Sequence, residues 1–289
     1  MTTVTLGPLT LDWGKQTYVM GIINATPDSF SGDGLLDEKA TVDGALAQAR
    51  RFVAEGAHIL DVGGESTRPG SQPVSEQEEL ARVVPVVTAI AAELEVAISV
   101  DTYKASVAQA ALDAGAHMIN DVWGGRMDRA MAPLAAERGV PIVLMHNRLR
   151  AKNVAQEELL GGRYLGVKYE DLLGDVVREL VECVNLARAA GVRKEQIILD
   201  PGIGFGKTVS QNRELLNRMN ELRVLGYPLL LGSSRKSFIG YTLNLPPHER
   251  VEGTAATVAI GIARGADIVR VHDVKVMTRV AKMTDAIIR

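Results

Sequence analysis

The 289-residue chain carries 32 Lys and Arg against 35 Asp and Glu, a formal net charge of −3, and is 46% hydrophobic and 23% charged. That is enough apolar sequence to bury a sizeable core in one large domain or two small ones. The near-neutral balance, without a long basic run, argues against nucleic acid and anionic membranes as partners. No apolar stretch approaches the roughly 20 residues of a membrane span, and the N-terminus shows no secretory pattern. The single Cys183 excludes an internal disulfide, so a reducing, cytoplasmic setting is expected.

In chain order, residues 4–13 read as a short hairpin placed to cover the floor beneath the later strands. Short apolar, β-rich runs then recur at 18–24, 58–63, 96–101, 118–121, 141–146, 197–201, 228–233 and 268–272. Runs this continuous suit strands buried on both faces. Amphipathic helices lie between them. Over 75–94, Leu80, Val83, Val84, Val87, Ile90, Ala91 and Leu94 share one face, and Ser75 with Glu78 predicts a capping box. Leu173, Val176, Val177, Leu180, Val184 and Ala187 repeat that spacing, with Cys183 among them. Gly56, Gly115, Gly139, Gly191, Gly226 and Gly265 fall just past periodic stretches and predict helix stops.

A weak repeat reinforces the pattern. Gly56-Ala57-His58-Ile59, Gly115-Ala116-His117-Met118 and Gly265-Ala266-Asp267-Ile268 each read as helix stop, small residue, polar residue, strand. Eight strand–helix units predict a parallel (β/α)8 TIM barrel rather than an open sheet. With no linker or low-complexity segment, residues 1–289 read as one domain.

Such a barrel gathers its chemistry at the C-terminal ends of the strands. Those ends carry Asn24, Asp61 with the loop 63–70, Asp101, Asn120 and Asp121, Met145 with His146 and Asn147, Asp200, the run 233–236, and Arg270 with His272. Any single Asp or Asn there is as readily a helix N-cap. Asp101 and Asp200 stand within or at the end of apolar runs, which capping explains poorly. Residues 202–208 imitate a P-loop, but Pro201 stands where its first glycine belongs, and Lys207 breaks a dinucleotide pattern. The glycines there suit a backbone turn under a flat ligand, with Phe205 as a stacking face. His58 and His117 read as structural, His248 as a surface residue, and His272 as functional. Asp101, Asp200 and Asn120 make an acceptor-rich pocket for a flat heterocycle bearing N–H donors. Arg68, Arg270 and His272 suit phosphate oxygens, and Asn24 offers a neutral oxygen to a hard cation.

Those blocks, from Gly21 to His272, resemble the dihydropteroate synthase family of pterin-binding barrels. The resemblance rests on Asn24-Ala25-Thr26-Pro27-Asp28-Ser29-Phe30-Ser31, residues 61–70, Ser99-Val100-Asp101-Thr102, Ile119-Asn120-Asp121, residues 200–207, residues 232–238 and Arg270-Val271-His272-Asp273-Val274, in that order. It implies transfer of the 7,8-dihydropterin-6-ylmethyl group from its diphosphate to 4-aminobenzoate, with Mg²⁺, in a homodimer open to sulfonamide inhibition. By the same resemblance Asp101, Asn120, Met145, Asp200 and Lys236 hold the pterin. Asn24, Arg68, Arg270 and His272 hold the diphosphate, with Asn24 on Mg²⁺. Phe30, Thr67, Pro69, Phe205 and Ser237, with Lys236, form the aminobenzoate pocket, and Asp33 joins the catalytic set on a closing loop.

Two departures stand out. Ser31-Gly32-Asp33-Gly34 shifts the acid one place from the family's Ser-Asp-Gly-Gly, and residues 145–150 replace a Met-His-Met-x-Gly-Thr-Pro-like run. The polar stretch from there to Leu165 is expected to be a mobile loop. The alternatives are a corrinoid methyltransferase using methyltetrahydrofolate and a pterin-binding paralogue without turnover.

Overall fold

The strands are β1 (Val4–Leu6), β2 (Leu9–Leu11), β3 (Tyr18–Asn24), β4 (Ile59–Gly63), β5 (Ala97–Asp101), β6 (Met118–Asp121), β7 (Ile142–Met145), β8 (Val154–Glu157), β9 (Gly161–Tyr164), β10 (Ile197–Asp200), β11 (Leu230–Leu231) and β12 (Ile268–Val271). They come from a computed structural model that describes residues 3–26, 38–66, 71–148, 154–157, 159–165 and 168–289. Eight of them form a parallel sheet in the order β10-β7-β6-β5-β4-β3-β12-β11. A parallel bridge between Leu199 and Leu229 joins its two edges into a cylinder. This is the barrel that eight alternating units predicted.

Strand alternation divides the core in two. Val19, Ile23, Leu60, Val62, Ile98, Val100, Ile119, Leu144, Leu199, Val269 and Val271 face outward into the shell beneath the helices. Tyr18, Met20, Ile59, Ala97, Met118, Val143, Ile198, Leu230 and Ile268 fill the lower interior. There they meet Val4, Leu6, Leu11 and Trp13 of the N-terminal hairpin, whose strands pair antiparallel, so the hairpin does cover the floor. The helix Leu172–Ala189 buries Leu173, Val176, Leu180, Cys183, Val184 and Ala187, the stripe its spacing predicted. The glycines of the repeat adopt left-handed φ of 97–114°, which explains why glycine stops these helices. His58 and His117 are structural as expected: their Nδ1 atoms accept the Val19 and Ile98 N–H at 3.0 and 3.1 Å. Among the described residues, no helix is long and apolar enough to cross a membrane.

Two expectations need correction. Ser75 Oγ caps its helix by accepting the Glu78 N–H at 3.2 Å, but the Glu78 carboxylate turns to Arg82. The reciprocal half of the capping box therefore does not form; the charged i,i+4 partner takes the carboxylate. The stretch expected as a mobile loop contains an antiparallel hairpin, with Val154 opposite Tyr164. Side chains that follow β11 fix it: buried Arg250 donates to the Leu160 carbonyl at 3.0 Å, and Tyr241 to that of Gly161 at 3.0 Å. A backbone pinned by distant donors cannot be recognised from its own composition.

Candidate active site

Period 2 turns most inner rows of the barrel from apolar to polar as the strands climb, the row ending in Met145 excepted. Ile59 is followed by Asp61, Ala97 by Ser99 and Asp101, Met118 by Asn120, Val143 by Met145, Ile198 by Asp200, and Ile268 by Arg270. Register sets the neighbours: Asp101 pairs with Asn120, and Asp200 with Met145. All four polar groups Asp61, Asp101, Asn120 and Asp200 are buried, so each needs partners.

Arg270 supplies them on one side. Its Nε donates to Asp61 Oδ2 at 2.5 Å and its Nη2 to Asp101 Oδ2 at 2.6 Å. Asn120 Nδ2 donates to the same Asp61 oxygen at 3.0 Å. Burial alone would lower the guanidinium pKa, but Asp61 and Asp101 outweigh it and hold it above its ordinary value. The Asp101 carboxyl is pushed up to about 7 by burial, against the pull of Arg270 and with help from Asp61. Two buried carboxylates sharing one guanidinium leave Asp101 a neutral acid over part of the physiological range. A ligand presenting N–H donors would favour its ionised form.

Asp200 and Lys236 face each other on the other side. Asp200 Oδ1 accepts the Gly202 N–H at 2.7 Å. A Cβ added at Gly232 would stand 3.8 Å from Asp200 Oδ2 and 3.9 Å from Lys236 Nζ, so both groups crown one spot. Lys236 also donates to the Ile203 carbonyl, and its ammonium lies 4.3 Å from the centre of the Phe205 ring. Burial lowers the Lys236 pKa to about 8, with Asp200 resisting. Burial raises that of Asp200, offset by Lys236 and the Gly202 N–H.

The glycine-rich turn does serve close approach. Gly202 has φ +69°, and a Cβ there would come within 1.8 Å of the His146 carbonyl oxygen. The turn delivers Phe205 against Met145 and Val122, flanked by Tyr103 and Trp123, as an apolar wall beside the charged groups. Behind it Lys207, 2% exposed, is drawn down to a pKa of about 7 by burial.

Asp101, Asn120, Met145, Asp200, Lys236, Phe205 and Arg270 are thus brought together. His272 stands at the exit of β12, where its Nδ1 lies 2.9 Å from Ser234 Oγ. Asn24 is half-buried at the end of β3, opposite Gly63. Ser237 opens the helix Ser237–Leu243 directly after Lys236. Phe30, Asp33, Thr67, Arg68 and Pro69 lie outside the described residues.

Sequence reasoning gives no role to three residues that matter here. Asp61 stands out in the sequence only as a strand end; its inward parity, two residues after Ile59, is the available signal. Lys207 stands out only as a break in a motif. Lys104 carries no signal at all, yet its ammonium joins Glu65 at 2.6 Å, the Val74 carbonyl at 2.9 Å and Glu79. It ties the two sides of the second loop to the helix Glu76–Glu93.

Comparison with known proteins agrees with this geometry. Residues 20–272 match the family described as pterin binding enzyme. Dihydropteroate synthase of Bacillus subtilis is 53% identical, across 97% of this chain and 92% of that protein. A dihydropteroate synthase structure from Clostridium difficile, obtained with pteroic acid, superposes with a TM-score of 0.88 at 47% identity, covering 96% of this chain and 99% of that one. The Yersinia pestis enzyme in a sulfonamide drug complex gives 0.87 at 43% identity, covering 99% and 98%. Inner-row carboxylates, the arginine between them and full-length likeness agree: the chain belongs to the pterin-binding enzyme family, among its dihydropteroate synthases.

Proposed function

We propose that this chain joins 7,8-dihydropterin-6-ylmethyl diphosphate to 4-aminobenzoate. The carbon–oxygen bond to diphosphate breaks, a carbon–nitrogen bond to the arylamine forms, and the amine loses a proton, giving dihydropteroate and diphosphate. The observation that carries this reading is the meeting of Asp101, Asn120, Asp200 and Lys236 with Arg270 at one barrel mouth. Acceptors on three strands suit the amino group and ring N–H donors of a pterin. The Phe205–Met145 wall suits its flat face.

The electrostatics suit the bond that breaks. Ionised Asp101 and Asp200 would stabilise positive charge developing on the pterin, while Arg270 and His272 receive the departing anion. An arylamine is neutral at pH 7 and needs no strong base, so a site without a Ser/His/Asp arrangement is adequate. Mg²⁺ fits the donor set: Asn24 offers one hard neutral oxygen, and the described residues contain no His/Cys/Asp/Glu cluster able to cage a metal unaided. Such a site suits an ion that arrives with phosphate and water ligands. Bound there, Mg²⁺ would act as a Lewis acid for the departing diphosphate.

The test is an assay of diphosphate release with each substrate alone and with both. Release should require both, and an aryl sulfonamide should raise the KM for 4-aminobenzoate without lowering kcat. Noncompetitive inhibition, or no turnover with both substrates, would refute the assignment. We also propose that the chain pairs with a second copy through the helix Val274–Ile288, where Val276, Met283 and Ile287 lie exposed at helical spacing. Sedimentation should give a dimer for the wild type and a monomer for Met283→Glu. A monomeric wild type would exclude the pairing.

A further inference from the structure

Lys207 bonds to none of the charged or amide side chains that converge on the pocket, yet two of its three bonds go to the turn that shapes it. Its ammonium lies 2.9 Å from His146 Nδ1, 2.9 Å from the Gly202 carbonyl and 3.0 Å from the Phe205 carbonyl. Those contacts use its three donors, and it stands 2% exposed in the wall between β7 and β10. When the ammonium donates to Nδ1, the His146 proton is on Nε2, which lies 3.0 Å from Glu179 Oε2. Glu179 in turn accepts Arg148 Nε at 2.7 Å. Close polar contacts therefore lead from the helix Leu172–Ala189 through His146 to the turn.

We propose that Lys207 is a positioning residue for the reaction: by gripping both ends of the Gly202–Phe205 turn and tying them to the exit of β7, it presses the Ile203 carbonyl and the Phe205 ring onto Lys236. The turn closes its own backbone bond from the Phe205 N–H to the Gly202 carbonyl at 3.0 Å, but that bond leaves the Phe205 carbonyl to Lys207. Left-handed glycines at 202, 204 and 206 direct the carbonyls of 202, 203 and 205 inward. An apolar side chain at 207 would leave the Phe205 carbonyl without its donor and the Gly202 carbonyl with the Phe205 N–H alone. Lys236 holds the third and carries the Phe205 ring, so loss of Lys207 would reach the ligand through those two contacts. This inference rests on the proposed reaction.

The experiment is a double-mutant cycle on kcat/KM for dihydropteroate formation in the full chain, using wild type, Lys207→Met, Phe205→Ala and the double variant. Lys207→Met should lower kcat/KM on the order of 100-fold, the scale of an ångström's misplacement. Adding Phe205→Ala should then cost less than about threefold more, because coupled residues do not add. Additive losses, or a Lys207→Met value within about threefold of wild type, would overturn the proposal. If Lys207→Met does not fold, Lys207→Gln, which keeps an amide donor, carries the same cycle. If neither folds, the residue is architectural and the proposal fails. A wild type without turnover refutes the reaction itself and this inference with it; an active wild type beside an unimpaired variant refutes the inference alone.

Discussion

Exchanging Arg270 for methionine should abolish turnover and lower the thermal midpoint by roughly 6–15 °C. The shape is nearly conserved, so the effect is one of charge. Asp61 and Asp101 would remain in the interior with their shared guanidinium gone, and breaking a buried pair costs about 3–5 kcal/mol. The loss should depend on pH, with a definite sign. A carboxyl whose folded pKa exceeds its unfolded one binds more protons when folded. Its stabilising contribution is full below the unfolded value and disappears as pH climbs through the folded one. For Asp101 that window runs from 3.8 to about 7 in the wild type, and removing Arg270 extends it upward. The variant should therefore approach wild-type stability near pH 4 and fall furthest behind near pH 8 (roughly the ends of the window). A constant gap in thermal midpoint between those conditions would contradict the pairing.

Asp200→Asn should reduce kcat on the order of 10²–10³-fold while the fold survives. Asparagine Oδ1 can still accept the Gly202 N–H that Asp200 holds at 2.7 Å, so the turn keeps its anchor. What changes is the group facing Lys236. An amide N–H₂ would point at an ammonium where a carboxylate had been, and the negative charge proposed to steady a cationic pterin would be absent. Steady-state kinetics with both substrates, alongside a melting curve, separate the two effects. A kcat within about threefold of wild type would remove Asp200 from the chemistry, whereas a collapsed melting curve would reassign it to the core.

The barrel was legible because its signals are local. Short β-rich runs, glycine stops and helical stripes all sit within a few residues of what they specify. The lower interior and the ends of most inner rows could be counted off in steps of two. What escaped was long-range. Arg250 reaches across 90 residues to Leu160, so the hairpin it anchors looks like a loop in sequence. Asp61 meets Arg270 across 209 residues, and nothing near either one announces the other. Glu78 has two partners within one helical turn, and sequence reasoning favours the backbone where the structure chooses Arg82. Lys207 falls inside a motif that is correctly rejected, and rejecting the motif hides the residue.

The hairpin beneath the barrel makes the cylinder a blind tube. Trp13 and Leu11 stopper one end, and Tyr18, Met20 and Ile268 fill the bore above them. Traffic therefore has a single doorway. A ligand resting against Asp200 and Lys236 would have to go down first, and anything seated over it would have to depart before it could leave.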